Sequence, residues 1–301
     1  MSLKIPINLS LLLVFISAAF RQNNTTIFYQ SLEWSPDNKT ICFAAIIKDS
    51  GKYDKTKWEI YSVNADGSNL IRLTKNNVID VWPSFSPDGK KIIFQSERDS
   101  NADLYTMNAD ESNTQRITNN PSKESYPAWR RDDKKILFTS DRDGNYELYH
   151  MNPDGTQQER LTNTPGNELN PSYSPDGKKI TYFYEKGDHH DQVYVADADA
   201  ANAVNICSDT LNNIYPSWSP GGKKIIYAAT RTNDKTITLS NEGAPGNKKK
   251  IVKDAFYARY SPDERKLAFI GGDWNNGEIY ISNADGSNKK ILIKKDDLLK
   301  L

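Results

Sequence analysis

The sequence predicts an all-β protein, a six-bladed β-propeller of four-stranded antiparallel blades, and three observations carry that expectation. An aromatic residue followed by Ser-Pro-Asp recurs at a nearly constant period, each repeat contains four short apolar segments, and Gly, Asp and Asn turns separate those segments. A fixed period of this size marks a propeller or a solenoid.

The repeated unit stands at Trp34-Ser35, Phe85-Ser86, Tyr173-Ser174 and Tyr260-Ser261, with altered copies at Trp129-Arg130-Arg131-Asp132-Asp133 and Trp218-Ser219-Pro220-Gly221-Gly222. Successive copies lie 51, 44, 44, 45 and 42 residues apart. After each turn comes a strand (KKIIF, KKILF, KKITYF, KKIIYA, RKLAF), a polar loop, a second alternating strand (EIYSVN, DLYTMN, ELYHMN, QVYVAD, EIYISN), an NADGSN-type turn and a short final strand. Four short strands per period make one blade. The turns need these residues whether or not anything binds: Pro presets φ, Asp and Asn bond the local backbone, and Gly accepts positive φ.

A four-stranded blade has two apolar faces that it cannot bury alone, whereas six blades in a ring bury them against each other. The expected domain is residues 25–295, with blades near 31–74, 80–118, 124–162, 168–208, 213–253 and 256–293. A charged tail, 296–301, follows. No strand-swapped closure is evident, although residues 27–30 (IFYQ) could supply one.

Composition agrees with half-buried sheets: the 301 residues include six Trp, sixteen Tyr and ten Phe. Thirty-nine basic residues balance thirty-nine acidic ones, so no global field gathers nucleic acid. Lys4, the apolar run Leu9–Ile16 and the small residues Ser17-Ala18-Ala19 have the form of a signal peptide, residues 1–19, which places the protein in the periplasm or outside the cell. The apolar run is too short for a stable membrane span. A monomer is expected. Cys42 and Cys207 fall in opposite blades, too far apart to bridge, and are expected as reduced, buried thiols.

The stretches YPSWSPGGKKIIYA, NPSYSPDGKKITYF and FTSDRDGNYELYHMNPDGTQQERLT resemble the TolB-type, WD40-like propeller repeat, also found in prolyl oligopeptidase-like enzymes. The resemblance spans nearly all of the chain after the leader and implies the propeller fold. It implies neither the serine triad of those enzymes, which sits in a hydrolase domain without counterpart here, nor the partner contacts of the separate N-terminal domain of TolB.

Blade geometry sorts the loops. The SPDG and NADGSN turns share one face of the ring, and the variable second-to-third loops and the segments leading into each blade share the other, where binding is expected. There, Asp80, Glu124, Glu168 and Asn213 each stand three positions before the repeat's Pro. Their convergence on the axis would line a mouth able to hold a Ca²⁺-like cation or a cationic group of a partner; otherwise each caps its own loop. Glu33 and Arg259 replace the small Ser84, Ala128, Ser172 and Ser217 on the inner strands, which suggests an ion pair across the closure or an arginine for an acidic ligand. Tyr53, Trp58, Tyr146 and Trp274 are candidate binding aromatics or strand-end packing. Asp141 to Glu147 resembles a calcium loop but reads better as a hairpin turn.

His189 and His190 form a weak metal candidate, and His150 lies in another blade. No nucleophile elbow, phosphate loop or zinc-type array is present. The expected function is a non-enzymatic, exported module or envelope scaffold without a required cofactor, binding a protein, peptide or glycan. The alternative is a metal-assisted polysaccharide lyase of the oligogalacturonide type, which resembles this repeat and requires several converging histidines.

Overall fold

The computed structural model describes residues 26–48, 58–187, 190–207, 209–231, 234–241, 248–272 and 277–301. Among them six four-stranded antiparallel sheets follow one another, each made of four consecutive strands. Blade 1 comprises Thr26–Trp34, Thr40–Lys48, Glu59–Asn64 and Ile71–Arg72. Blade 2 runs from Asp80–Phe85 to Gln115–Arg116, and blade 3 from Glu124–Trp129 to Glu159–Arg160. Blade 4 runs from Asn167–Tyr173 to Val204–Asn205, blade 5 from Asn212–Trp218 to Lys248–Lys253, and blade 6 from Ala255–Tyr260 to Lys290–Ile293.

Burial explains the strand sequences. Second strands such as Lys91–Ser96 and third strands such as Asp103–Asn108 are buried along nearly their whole length, because neighbouring blades cover both faces. The short outer strands, such as Gln115–Arg116, are exposed. Phe43, Phe94, Phe138 and Phe269 occupy one repeated position on the second strands and are fully buried.

The ring closes without exchanging a strand. Ile27 to Gln30 pair with Ile47 to Ala44 of the same blade and so extend blade 1's own inner strand. A continuous apolar core joins blades 5, 6 and 1 instead, including Tyr29, Trp34, Phe43, Ile226, Phe256 and Phe269. Trp34 Nε1 donates to the Arg259 carbonyl at 3.2 Å, and the Asp263 N–H donates to Asn38 at 2.9 Å, both across the closure.

The C-terminal segment departs from the expected charged tail. Lys295–Leu298 forms one helical turn, and Leu298 is buried in the closure core. Three leucines among charged residues, Leu298, Leu299 and Leu301, gave no periodic signal, yet Leu298 fills space beside the blade 6 to blade 1 contact. Cys42 and Cys207 are free and buried. No helix among the described residues is long and apolar enough to cross a membrane. The leader, residues 1–19, lies outside the described residues.

Candidate functional site

The four residues expected to converge on the axis do not. Asp80, Glu124, Glu168 and Asn213 are fully buried. Each backbone N–H bonds the carbonyl just ahead of the third strand in the preceding blade: Asp80 to Trp58, Glu124 to Ala102, Glu168 to Tyr146 and Asn213 to Asp191, at 2.8 to 2.9 Å. Their side chains are held in these seams. Asp80 pairs with Arg98 at 3.4 Å and accepts from Asn76 at 2.6 Å, while Glu124 pairs with Arg142 at 3.0 Å. Glu168 accepts from Thr162 at 3.2 Å and from Thr164, and Asn213 donates to Asp209 at 2.7 Å. Among the described residues no group of three His, Cys, Asp or Glu side chains stands close enough to hold a metal.

The seams form a second repeat of their own. The first residue of the third strand is also a buried acid in blades 1 to 3, held by the arginine of the outer strand: Glu59 with Arg72 at 2.7 Å, Asp103 with Arg116 at 2.6 Å and Glu147 with Arg160 at 2.9 Å. Each seam thus brings two carboxyls together. Glu124 is pushed up to about 7 by burial, against Arg142. Burial also raises Glu168, reinforced by Glu147 and opposed by the Thr164 bond. Arg98 lies over the Tyr105 ring at 4.7 Å and Arg142 over Tyr149 at 4.6 Å, so the charged stretches after the second strands are clamps. Asp141 to Gly144 closes as a hairpin turn, with the Gly144 N–H on the Asp141 carbonyl at 3.0 Å.

The SPDG turns are self-contained. Ser86 Oγ donates to Asp88 at 2.7 Å and accepts from the Lys91 N–H at 2.9 Å, while Asp88 accepts from the Lys90 N–H at 3.0 Å. The Ser86 bond holds the Asp88 carboxyl below its usual range. Blade 3 substitutes an Arg130–Asp132 fork, with both bonds at 2.8 Å.

Of the aromatic candidates, Tyr146 packs against the core shared by blades 4 and 5, and Trp58 is half-buried with its carbonyl in the seam. Tyr53, Trp274 and His189 lie outside the described residues, and His190 is exposed. His150 bonds Glu159 at 2.8 Å within blade 3.

A funnel of about 340 Å³ opens at the axis on the face of the repeated turns, opposite to the face expected from loop variability. Its floor is lined by bulge residues of four inner strands, Trp82, Tyr126, Asn170 and Tyr257. Ser31, Trp82, Tyr126, Asn170, Tyr215 and Tyr257 are six equivalent residues, all at φ between 51° and 56°. Each sits at a break in strand register. Bulges re-aim side chains, and here they turn these residues toward the axis. The Trp82 indole lies against Tyr126 at 4.2 Å, the rings tilted by 37°, and reaches Tyr215 at 6.3 Å and Tyr257 at 6.2 Å, in blades 5 and 6. The floor is therefore an aromatic plug. Sequence reasoning missed it, although the residue before the repeat's Pro is aromatic at Trp82, Tyr126 and Tyr215, a repeat visible in the sequence.

The funnel wall carries the charge exception. Arg259 Nε lies 3.5 Å from Glu33 Oε2. Arg259 also donates to the Tyr257 hydroxyl and to the Ala258 carbonyl, each at 3.0 Å, and stacks over the Tyr257 ring at 4.4 Å. Burial raises the Glu33 carboxyl above its ordinary range, with Arg259 opposing. The small Ser84, Ala128, Ser172 and Ser217 leave the rest of the wall open, and Pro36, Pro87, Pro175, Pro220 and Pro262 stand at its rim.

A family model for the TolB beta propeller domain matches residues 23–120 and again 96–255. The fold is similar to TolB from Acinetobacter baumannii (20% identity, TM-score 0.68), over 87% of this chain and 62% of that one. It is similar to a protein described as TolB from Agrobacterium tumefaciens (19% identity, TM-score 0.65), over 86% of this chain and 97% of that one. An oligogalacturonate lyase in complex with manganese is also similar (13% identity, TM-score 0.62), over 91% of this chain and 79% of that one. The chain thus spans 62% of the Acinetobacter TolB's length, and these identities speak for fold alone. The family match runs from residue 23 to residue 255, through the first five blades, and on that ground the chain belongs to the TolB beta propeller domain family.

Proposed function

We propose that this protein is an exported, non-catalytic binding module whose ligand, a segment of a protein or peptide, enters the axial funnel on the SPDG face. The funnel carries this reading. A concave site with aromatic and proline walls and a few fixed polar groups is the usual form of a binding pocket, and Trp, Tyr and Arg are the residues that concentrate binding energy. Its walls stand on self-bonded turns and paired strands, so little ordering is required when a ligand arrives. Export rests on the leader pattern of residues 1–19.

The lyase reading draws on the manganese-holding neighbour and asks for several ligands meeting at one point. The described funnel wall offers one carboxylate, Glu33, and no histidine, which favours binding.

The test is affinity recovery of partners from an envelope fraction with three proteins: unaltered, Ala128→Trp to fill the funnel, and Asp141→Ala on the opposite face. Partners lost only with Ala128→Trp support the reading. Partners retained by Ala128→Trp and lost with Asp141→Ala would move the site to the variable loops.

A further inference from the structure

Arg259 is positioned by groups other than its acidic partner. The Tyr257 hydroxyl, the Ala258 carbonyl and the Tyr257 ring hold the guanidinium, and its side chain is only 11% exposed. One N–H on each terminal nitrogen remains uncommitted among the described residues. Glu33 meets it at a single 3.5 Å contact, longer than the roughly 2.7–2.9 Å of a charge-assisted bond. A preformed guanidinium held largely out of solvent attracts an anion more strongly than one in water. Arg131 adds a second positive charge to the lining, so the funnel's charged side chains are two arginines against one glutamate. On blade 4, Asn170 Oδ1 and Ser172 Oγ are buried polar atoms without a partner among the described residues, and a small turn of either side chain into the funnel would let a ligand N–H or C=O supply the missing bond.

Resting on the funnel reading above, we propose that the ligand segment carries a carboxylate that takes Arg259 as its anchor, with Glu33 as the intramolecular competitor that this carboxylate displaces. The ligand is a peptide segment presenting an Asp or Glu side chain or a free C-terminus, with its backbone toward Asn170 and Ser172. Guanidinium and carboxylate match as a two-bond fork, which the present Glu33 contact does not achieve.

The test uses a synthetic array of random linear heptapeptides, one half with free C-termini and one half amidated, probed with the full chain. Peptides that lose at least tenfold in affinity with Ala128→Trp are taken as funnel binders. For these, replacing the acidic side chain by its amide, or amidating the C-terminus, is expected to weaken binding at least tenfold and identifies which carboxylate is used. Arg259→Gln is expected to weaken them equally, and Glu33→Gln to strengthen them about threefold or more by removing the competitor. Funnel binders that keep their affinity within twofold after losing every carboxylate overturn this proposal and leave the funnel reading intact. Loss of binding in Glu33→Gln as large as in Arg259→Gln also overturns it. An array with no funnel-dependent binder overturns both. Where Arg259→Gln does not fold, the paired acid and amide peptides on the unaltered protein decide the matter.

Discussion

Arg142 reaches back from the second-to-third loop of blade 3 to bond Glu124 at 3.0 Å, whereas Glu168, the equivalent carboxyl of blade 4, has Lys186 at the position of that arginine and faces Glu147. Lys186 lies over the Tyr184 ring at 6.0 Å. Three successive seams thus carry paired acids, and the third holds one cation fewer.

This difference sets a pH dependence. A carboxyl whose folded-state value is raised contributes stability below the unfolded value, about pH 4.3, and loses it as pH rises through the folded value. Stability of the unaltered protein should therefore decline from weakly acidic to mildly alkaline pH. In Glu168→Gln the decline should shrink by on the order of 1 kcal/mol, and part of it should remain because Glu124 is raised as well. Urea midpoints at pH 5, 7 and 9 measure it; parallel curves for the two proteins would remove Glu168 as the cause.

Removing a partner from a buried pair strands the other charge. Arg142→Ala should cost about 3 kcal/mol at pH 9, where Glu124 is ionised in the unaltered protein and loses its counter-ion, and the double variant Arg142→Ala/Glu124→Gln should recover most of that loss. Denaturant unfolding of the four proteins in the cycle gives the coupling directly. Additive losses would show that the pair acts as two independent residues.

Leu298 tests the closure. Its side chain is buried beside blades 6 and 1, so Leu298→Ala should lower stability by about 2–4 kcal/mol. Leu301→Ala, at a position 58% exposed, should change it by less than about 0.5 kcal/mol. Thermal melts separate the two, and equal melting temperatures would show that Leu298 does not support the closure.

Ser86 tests whether the SPDG turn is scaffold. Ser86→Ala removes one donated and one accepted bond at a turn corner and should cost about 1–2 kcal/mol. Affinity for any funnel ligand, measured well below the melting temperature, should stay within twofold. A large loss of affinity with unchanged stability would make the Ser86 hydroxyl a ligand contact beside the Pro87 rim.

The fold was legible because its evidence is periodic. The same turn chemistry and strand pattern appear six times, and a ring is the arrangement that buries both faces of each blade. The Glu33–Arg259 exception was legible for the same reason, since a charge stands out against small residues at equivalent positions. The acidic residues misled because a repeated position shows which residues are equivalent and leaves open where their side chains point. Asp80, Glu124 and Glu168 turn into the seams, where Arg98 and Arg142 meet the first two and Thr162 and Thr164 meet the third. The aromatic floor was hidden by conformation: nothing in the string Trp82-Pro83 announces a positive φ at Trp82, and without the bulge the indole does not cross the axis.

By itself the sequence determined the all-β class, the blade count, the order of strands and the separation of the two cysteines, because these follow from local turn preferences and from period. Only the tertiary structure decided which face holds the cavity, that the closure is made by core packing and by Leu298, and that the acids pair with arginines. Those features depend on side-chain direction and on contacts between blades, which a local pattern does not encode.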